Sequence, residues 1–266
     1  MPLTSLQNPR VKEVVRLRER RYRDQTGRFL VEGYRPLLRA VENHFAVSEL
    51  FVCPRFFLGE NNAALIARLA AAGASVTEVT PEVFAKMTYR DRPEGLLGVA
   101  PQFHPTFADL RPRGPGFYII AEAIEKPGNL GTILRSADAA GVDAVIVCDR
   151  CTDIFNPNVV CASIGTLFTV RVVEASSADT LAWARAAGIT VLAATPHTNQ
   201  LYTDVDLRGP VAIAVGAEQY GLSEQWLKAA DCQVRLPMCG QADSLNVATA
   251  TTILLYEVLR QRGTGK

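Results

Sequence analysis

The 266-residue chain has no apolar run approaching the roughly 18 residues that a membrane-spanning helix needs. Its first residues, MPLTSLQNPR, lack the apolar centre of a secretory leader, so a cytoplasmic protein is expected, with no membrane partner. Histidine is scarce: His44, His104 and His197 lie far apart. One cysteine pair, Cys148 and Cys151, has C-x-x-C spacing, but there is no second pair at zinc-ribbon distance, so neither a metal nor a redox pair is expected. The six cysteines are scattered through mostly strand-like contexts, which excludes a disulfide framework. A dinucleotide fingerprint is missing as well. The one G-x-G, Gly114-Pro115-Gly116, precedes its strand and lacks the third glycine, and no G-x-x-x-x-G-K-[ST] loop exists. With 48% hydrophobic and 21% charged residues and a net charge of +1, the composition excludes extensive disorder, and the global charge is silent on partners.

What is present falls into two rhythms. Arg10, Lys12, Arg16, Arg18, Arg20, Arg21, Arg23 and Arg28 face only Glu13, Glu19 and Asp24, so residues 1–24 read as a basic arm. Two readings stand side by side: a solvated helix, or a segment that lies along a phosphate backbone. Residues 25–103 alternate short strands and helices, as in VSELFVC, NNAALIARLAAAG and SVTEVT, and read as a small α/β domain. Pro- and Gly-rich residues 104–116 form the linker. From 117 to 262 the runs FYIIA, AVIVC, TVRVV, ITVLAA and VAIAVGA are continuously apolar and separated by helical patterns. That is the signature of a buried parallel sheet, with ligands expected at its carboxyl edge.

Three loops at strand ends carry more polar chemistry than turns require. The first, Glu125 to Gly131, enters a helix holding Arg135, which in isolation is an ordinary surface arginine. The second, Val215 to Ser223, places Glu218 between Gly216 and Gly221; a plain turn accounts for the glycines but not for the glutamate. The third, LPMCGQADSLNV from Leu236, runs into a helix, and capping accounts for Ser244 or Asn246 but not both with Leu245 between them.

Together the motifs N-L-G-x-x-x-R (Asn129, Leu130, Gly131, Arg135), G-x-E-x-x-G-L-S (Gly216, Glu218, Gly221 to Ser223) and L-P-M-x-G-x-x-x-S-L-N-V (Leu236 to Val247) resemble the SpoU, or TrmH-type, RNA ribose 2′-O-methyltransferases. Those enzymes belong to the SPOUT class. The likeness spans Phe117 to Arg262, and a weaker one, F-L-V-E-G, extends to the small domain as an RNA substrate-binding unit. It implies an α/β fold with a trefoil-knotted catalytic domain and a mainly parallel sheet, and a homodimer joined through the helix after Asn246. It also implies S-adenosylmethionine as methyl donor with no metal. Two departures, Ala248-Thr249-Ala250 and Gln219-Tyr220, leave the activity intact and put the substrate in question.

The resemblance implies a donor site formed by Thr195, Gly216, Leu236, Met238, Ser244, Leu245 and Asn246. It implies catalysis by Arg135 with Asn129, Glu218, Ser244 and Asn246. A guanidinium gives up its proton only with great difficulty, so Arg135 suits a phosphate clamp that stabilises the developing alkoxide better than it suits a base. Arg16, Arg18, Arg20, Arg21, Arg28, Arg35 and Arg135 are the candidate RNA contacts. Structured RNA, first of all large-subunit ribosomal RNA, is the expected substrate, and DNA is not. A transfer-RNA methyltransferase and a non-catalytic RNA-binding or ribosome-assembly protein are the alternatives. Arg135, Glu218 and Asn246 together argue against the last, because a pure binder has no need of them.

Overall fold

A computed structural model describes residues 2–149 and 152–263. They form two units. The first takes the chain up to Phe103 together with Asp153–Thr169; the second takes His104–Thr152 and the chain from Val170 onward.

The first unit opens with α1 (Pro9–Arg16) and α2 (Arg20–Thr26). The Asn8 side chain caps α1 by accepting from the Arg10 N–H, and Pro9 sits where a missing N–H costs nothing. Val11, Val14 and Leu17 recur every three residues and are buried in one cluster with Val79, Val83, Phe84 and Met87. Residues expected as a basic arm are therefore a packed part of this unit. Then come β1 (Arg28–Glu32), α3 (Tyr34–Glu42), β2 (Glu49–Val52), α4 (Asn62–Ala71), β3 (Ser75–Glu78), α5 (Pro81–Met87) and β4 (Leu96–Pro101). The sheet order is β1-β4-β2-β3, with β4 antiparallel to both neighbours and β2 parallel to β3.

The second unit begins with β5 (Phe117–Glu122), α6 (Pro127–Ala140) and β6 (Ala144–Cys148). The chain then contributes α7 (Pro157–Ala162) to the first unit. Phe155 lies 4.7 Å from Phe29, and Phe168 lies 5.2 Å from Phe45, ring centre to ring centre. Asp153, 6% exposed, receives Arg23, 1% exposed, at 2.6 Å, and the same guanidinium donates to the carbonyls of Leu17 and Arg18. A charge this deeply buried is tolerable only when its hydrogen bonds are filled, as here. The sequence boundary of 117–262 assigns residues 153–169 to the catalytic domain, whereas their aromatic and ionic contacts lie with the first unit.

Returning to the second unit, the chain forms β7 (Arg171–Ala175), α8 (Ser177–Ala186), β8 (Thr190–Ala194), β9 (Val211–Val215), α9 (Glu224–Ala229), β10 (Cys232–Val234) and α10 (Val247–Gln261). All six strands are parallel, in the order β10-β8-β9-β5-β6-β7, as the continuous apolar runs foretold. β5, β6 and β9 are buried along their whole length. Trp226 on α9 is fully buried and donates from Nε1 to Ser177 Oγ at 2.8 Å. Helix α10 packs along α6, where the hydroxyls of Ser136 and Thr252 meet at 2.7 Å.

Burial pushes the Cys148 thiol up to about 12, so it stays protonated beside Thr180 Oγ1 at 3.2 Å; Cys151 lies outside the described residues. Among the described residues no group of three or more His, Cys, Asp or Glu side chains is placed to hold a metal. Nor is any described helix long and apolar enough to cross a membrane.

Candidate active site

The three motif loops follow β5, β9 and β10, and Thr195 follows β8. These four strands are consecutive in the sheet, so their carboxyl ends form one continuous edge. Sequence-distant residues thus meet there because parallel strands bring all their exits to one side.

Asn129 lies in the first turn of α6 and its side-chain amide donates to Glu218. Its carbonyl accepts from Asn246 Nδ2 at 3.1 Å. Asn246 in turn caps α10: its Oδ1 accepts from the N–H groups of Ala248 at 3.0 Å and Thr249 at 3.4 Å. A single chain of side-chain hydrogen bonds therefore joins all three loops, with a carboxylate at one end and a helix start at the other. The asparagine amide is oriented from both sides, and charge-assisted bonding at Glu218 is the stronger of its two contacts.

Glycine is needed in the second loop for a steric reason. A Cβ on Gly216 would lie 2.2 Å from the carbonyl of Gly221, and Gly221 itself has φ +68°. The loop folds back on itself there, with the Gly221 N–H donating to the Ala217 carbonyl at 2.9 Å. Glu122, the last residue of β5, is 6% exposed and accepts from the Ser223 N–H at 2.7 Å, anchoring the end of this loop. Sequence reasoning missed Glu122. A lone acidic residue closing the apolar run FYIIA was the available signal.

The third loop differs in kind. Leu236 and Met238 are half-buried, Ser244, Leu245 and Asn246 are exposed, and no backbone group of residues 236–245 makes a hydrogen bond among the described residues. Thr195, by contrast, is buried, and its N–H donates to the Val234 carbonyl at 2.9 Å. A stretch with unspent N–H and C=O groups beside Leu236, Met238 and Leu245 suits an adenosine, which needs both apolar walls and backbone partners.

Arg135 stands apart from the hydrogen-bonded chain. Six residues beyond Asn129 on α6, it projects about 120° around the helix, is exposed, and has no hydrogen-bond or ion-pair partner among the described residues. Ser244 likewise joins no described hydrogen bond. Of the catalytic candidates, then, Asn129, Glu218 and Asn246 are brought together, and Arg135 and Ser244 are left available.

The RNA candidates in the first unit divide similarly. Arg18 donates to the carbonyls of Lys86 and Thr88, Arg20 pairs with Asp24 at 3.6 Å, and Arg28 pairs with Glu49 at 3.3 Å and Glu13 at 3.7 Å. Arg16 lies over the Tyr22 ring at 4.0 Å. Arg21 and Arg35 are exposed and have no side-chain partner among the described residues. Two pockets in the second unit, of about 490 and 450 Å³, are lined by none of the motif residues.

Residues 116–256 match the SpoU rRNA Methylase family, and residues 8–98 match the MRM3-like substrate binding domain. The chain belongs to the SpoU family. It is 31% identical to the 23S rRNA (uridine(2479)-2′-O)-methyltransferase of Streptomyces viridochromogenes, over 94% of this chain and 88% of that one. Among solved structures it resembles an RNA 2′-O ribose methyltransferase with 42% identity and a TM-score of 0.86, covering 98% of this chain and 99% of the other. It also resembles an AdoMet-bound rRNA methyltransferase from Sinorhizobium meliloti, with 34% identity, a TM-score of 0.89 and coverage of 98% and 97%. The second unit therefore has the SPOUT methyltransferase fold of this family.

Proposed function

We propose that this SpoU-family chain methylates a ribose 2′-oxygen of large-subunit ribosomal RNA, using S-adenosylmethionine. The observation that carries the reading is the side-chain hydrogen-bond chain Glu218–Asn129–Asn246, which ties the three family motifs together beside a loop whose backbone groups have no hydrogen-bond partner among the described residues. Leu236, Met238 and Leu245 would hold the adenosine, with backbone groups of residues 236–245 and of Gly216 reading its polar edge. When bound, the donor would supply a sulfonium methyl group: the ribose 2′-oxygen bonds to the methyl carbon in line as the carbon–sulfur bond breaks, the thioether leaving with that electron pair and the hydroxyl proton passing to water.

The protein's part is alignment and charge. Glu218 and Asn246 fix the Asn129 amide, which orients the ribose. Arg135, unpartnered and permanently cationic, takes the phosphate of the target nucleotide and stabilises negative charge growing on the 2′-oxygen. Ser244 adds a hydroxyl at the mouth of the donor loop. Arg21 and Arg35 are free to meet RNA phosphate as they stand, and Arg16, Arg18, Arg20 and Arg28 would have to exchange an existing contact. The working unit is a cytoplasmic homodimer in which a second copy covers α10, whose Tyr256 is 51% exposed.

Transfer of labelled methyl from S-adenosylmethionine to unmodified 23S rRNA, with transfer RNA in parallel, tests the reading. Label at one alkali-resistant ribose of ribosomal RNA is the expected result. Label in transfer RNA alone would move the substrate. Label in neither, with no donor binding, would overturn the enzyme.

A further inference from the structure

Outside the active site, the first unit contains a buried carboxylate with no part in the chemistry described above. Glu32, the last residue of β1, is 6% exposed, and it accepts from the Thr88 hydroxyl and, at 2.8 Å, from the Tyr89 N–H. Two residues before β4, Glu94 accepts from the Arg90 guanidinium and, at 3.0 Å, from the Tyr34 N–H. Between these strands of contact Gly33 has φ +97°, and a Cβ there would lie 3.0 Å from Arg90 Nη1 and 3.1 Å from Glu94 Oε2. The loop Thr88 to Glu94 is thus pinned at both ends.

What this pinning presents is an aromatic ring. Tyr89 is 42% exposed, its main chain is held by Glu32, and its hydroxyl accepts from Asn158 Nδ2 at 2.8 Å. An exposed tyrosine is unremarkable alone, because folded surfaces carry many. A ring fixed at both its main chain and its hydroxyl is different, since little freedom remains to be lost when something stacks on it. Burying Glu32 also costs free energy, and burial raises its pKa despite the hydrogen bonds that oppose the shift. Arg92 in the same loop and Arg35, next to Tyr34, are both exposed and without a side-chain partner among the described residues, and Asp91, beside Arg92, is an exposed carboxylate likewise without one.

We propose that the loop Thr88 to Glu94 is a platform for an unpaired nucleotide of the RNA substrate, whose base stacks on Tyr89 while Arg92 and Arg35 meet its flanking phosphates. This rests on the RNA reading above and names the surface that would recognise the substrate. Two free guanidiniums against one carboxylate give the loop little net charge, so stacking rather than counterion release carries its share of affinity. A base already within a duplex has no open face to offer, which selects loops and bulges over paired regions.

The test uses the full-length protein as wild type, Tyr89→Ala, Tyr89→Trp and Arg92→Ala. Filter binding to an unmodified 23S rRNA transcript is measured across a salt series, together with KM for that RNA, kcat, and the calorimetric Kd for S-adenosylmethionine. Tyr89→Ala should raise the RNA Kd and KM about tenfold with an unchanged salt slope, and Tyr89→Trp should restore both. Arg92→Ala should weaken RNA binding and lower the salt slope by about one. Donor Kd and kcat at saturating RNA should stay at the wild-type values throughout. An active wild type whose RNA KM is unchanged within twofold in both alanine variants would overturn the platform alone. A wild type that neither binds nor methylates RNA would overturn the RNA reading, and the platform with it.

Discussion

Each unit ends its first strand with a buried carboxylate that holds a loop. Glu32 closes β1 and accepts from the Tyr89 N–H at 2.8 Å; Glu122 closes β5 and accepts from the Ser223 N–H at 2.7 Å. Both side chains are 6% exposed. The sheets behind them differ, one mixed and one wholly parallel, yet the local device is the same. A carboxylate at the rim of a core can satisfy loop N–H groups that the strand ladder has released, and it holds the loop more firmly than a neutral acceptor would. What differs is the loop held. Glu122 secures the end of the Gly216 to Ser223 loop beside the hydrogen-bonded motif residues, whereas Glu32 secures a loop with the exposed ring of Tyr89 and the exposed Arg92.

The comparison can be broken most severely at the second unit's glycine. Gly216→Ala would set a methyl group 2.2 Å from the Gly221 backbone, where no side chain can give way. Loss of calorimetrically detectable S-adenosylmethionine binding is expected, with destabilisation of about 1–3 kcal/mol by denaturant melting. Wild-type donor affinity in that variant would show that the loop is not part of the donor site.

Next in size is the exchange of the two anchors. Glu122→Gln should weaken donor binding about tenfold, as expected for loss of a charged hydrogen-bond acceptor, and leave RNA affinity alone. Glu32→Gln, at a positioning residue, should do the reverse, raising the RNA KM about threefold to tenfold with donor Kd and kcat unchanged. Steady-state kinetics with each substrate varied separates the two patterns. If both variants shift the same constant, the anchors do not serve separate loops.

A smaller effect is in pH dependence. Burial raises the Glu32 pKa above its ordinary 4.5, so the native state binds this proton more tightly than the unfolded chain does. The stability it contributes is present below about pH 4.5 and is lost as pH rises through the raised folded value. Thermal melts of wild type and Glu32→Gln from pH 4 to 8 should therefore show wild type falling relative to the variant over that window and then running level with it. A difference constant with pH would contradict the assignment.

Much of this was legible in the sequence, and the reasons are local. β5, β6 and β9 are continuous apolar runs because both faces are buried, and the motif loops stand out because their residue types exceed what turns need. Contacts made across long separations were not legible. Arg23 reads as one more cation in a basic segment, because its partner Asp153 lies 130 residues away. Residues 153–169 read as part of the parallel domain, and only the packing of Phe155 and Phe168 on Phe29 and Phe45 reveals their place. Alternating charge hid the Val11, Val14 and Leu17 stripe in the same way. Within the site, motif spacing pointed to Asn129, Glu218 and Asn246 but could not say that they bond to one another while Arg135 remains free.

The proposed division of labour is that the bonded residues shape the site and Arg135 acts on the substrate. Arg135→Ala, assayed for calorimetric S-adenosylmethionine binding and for methyl transfer to unmodified 23S rRNA, tests it most directly. The account predicts donor affinity within about twofold of wild type and transfer reduced by about 100-fold or more, the size expected when a charge-stabilising group is removed. Equal loss of binding and transfer, or transfer that survives, would contradict it.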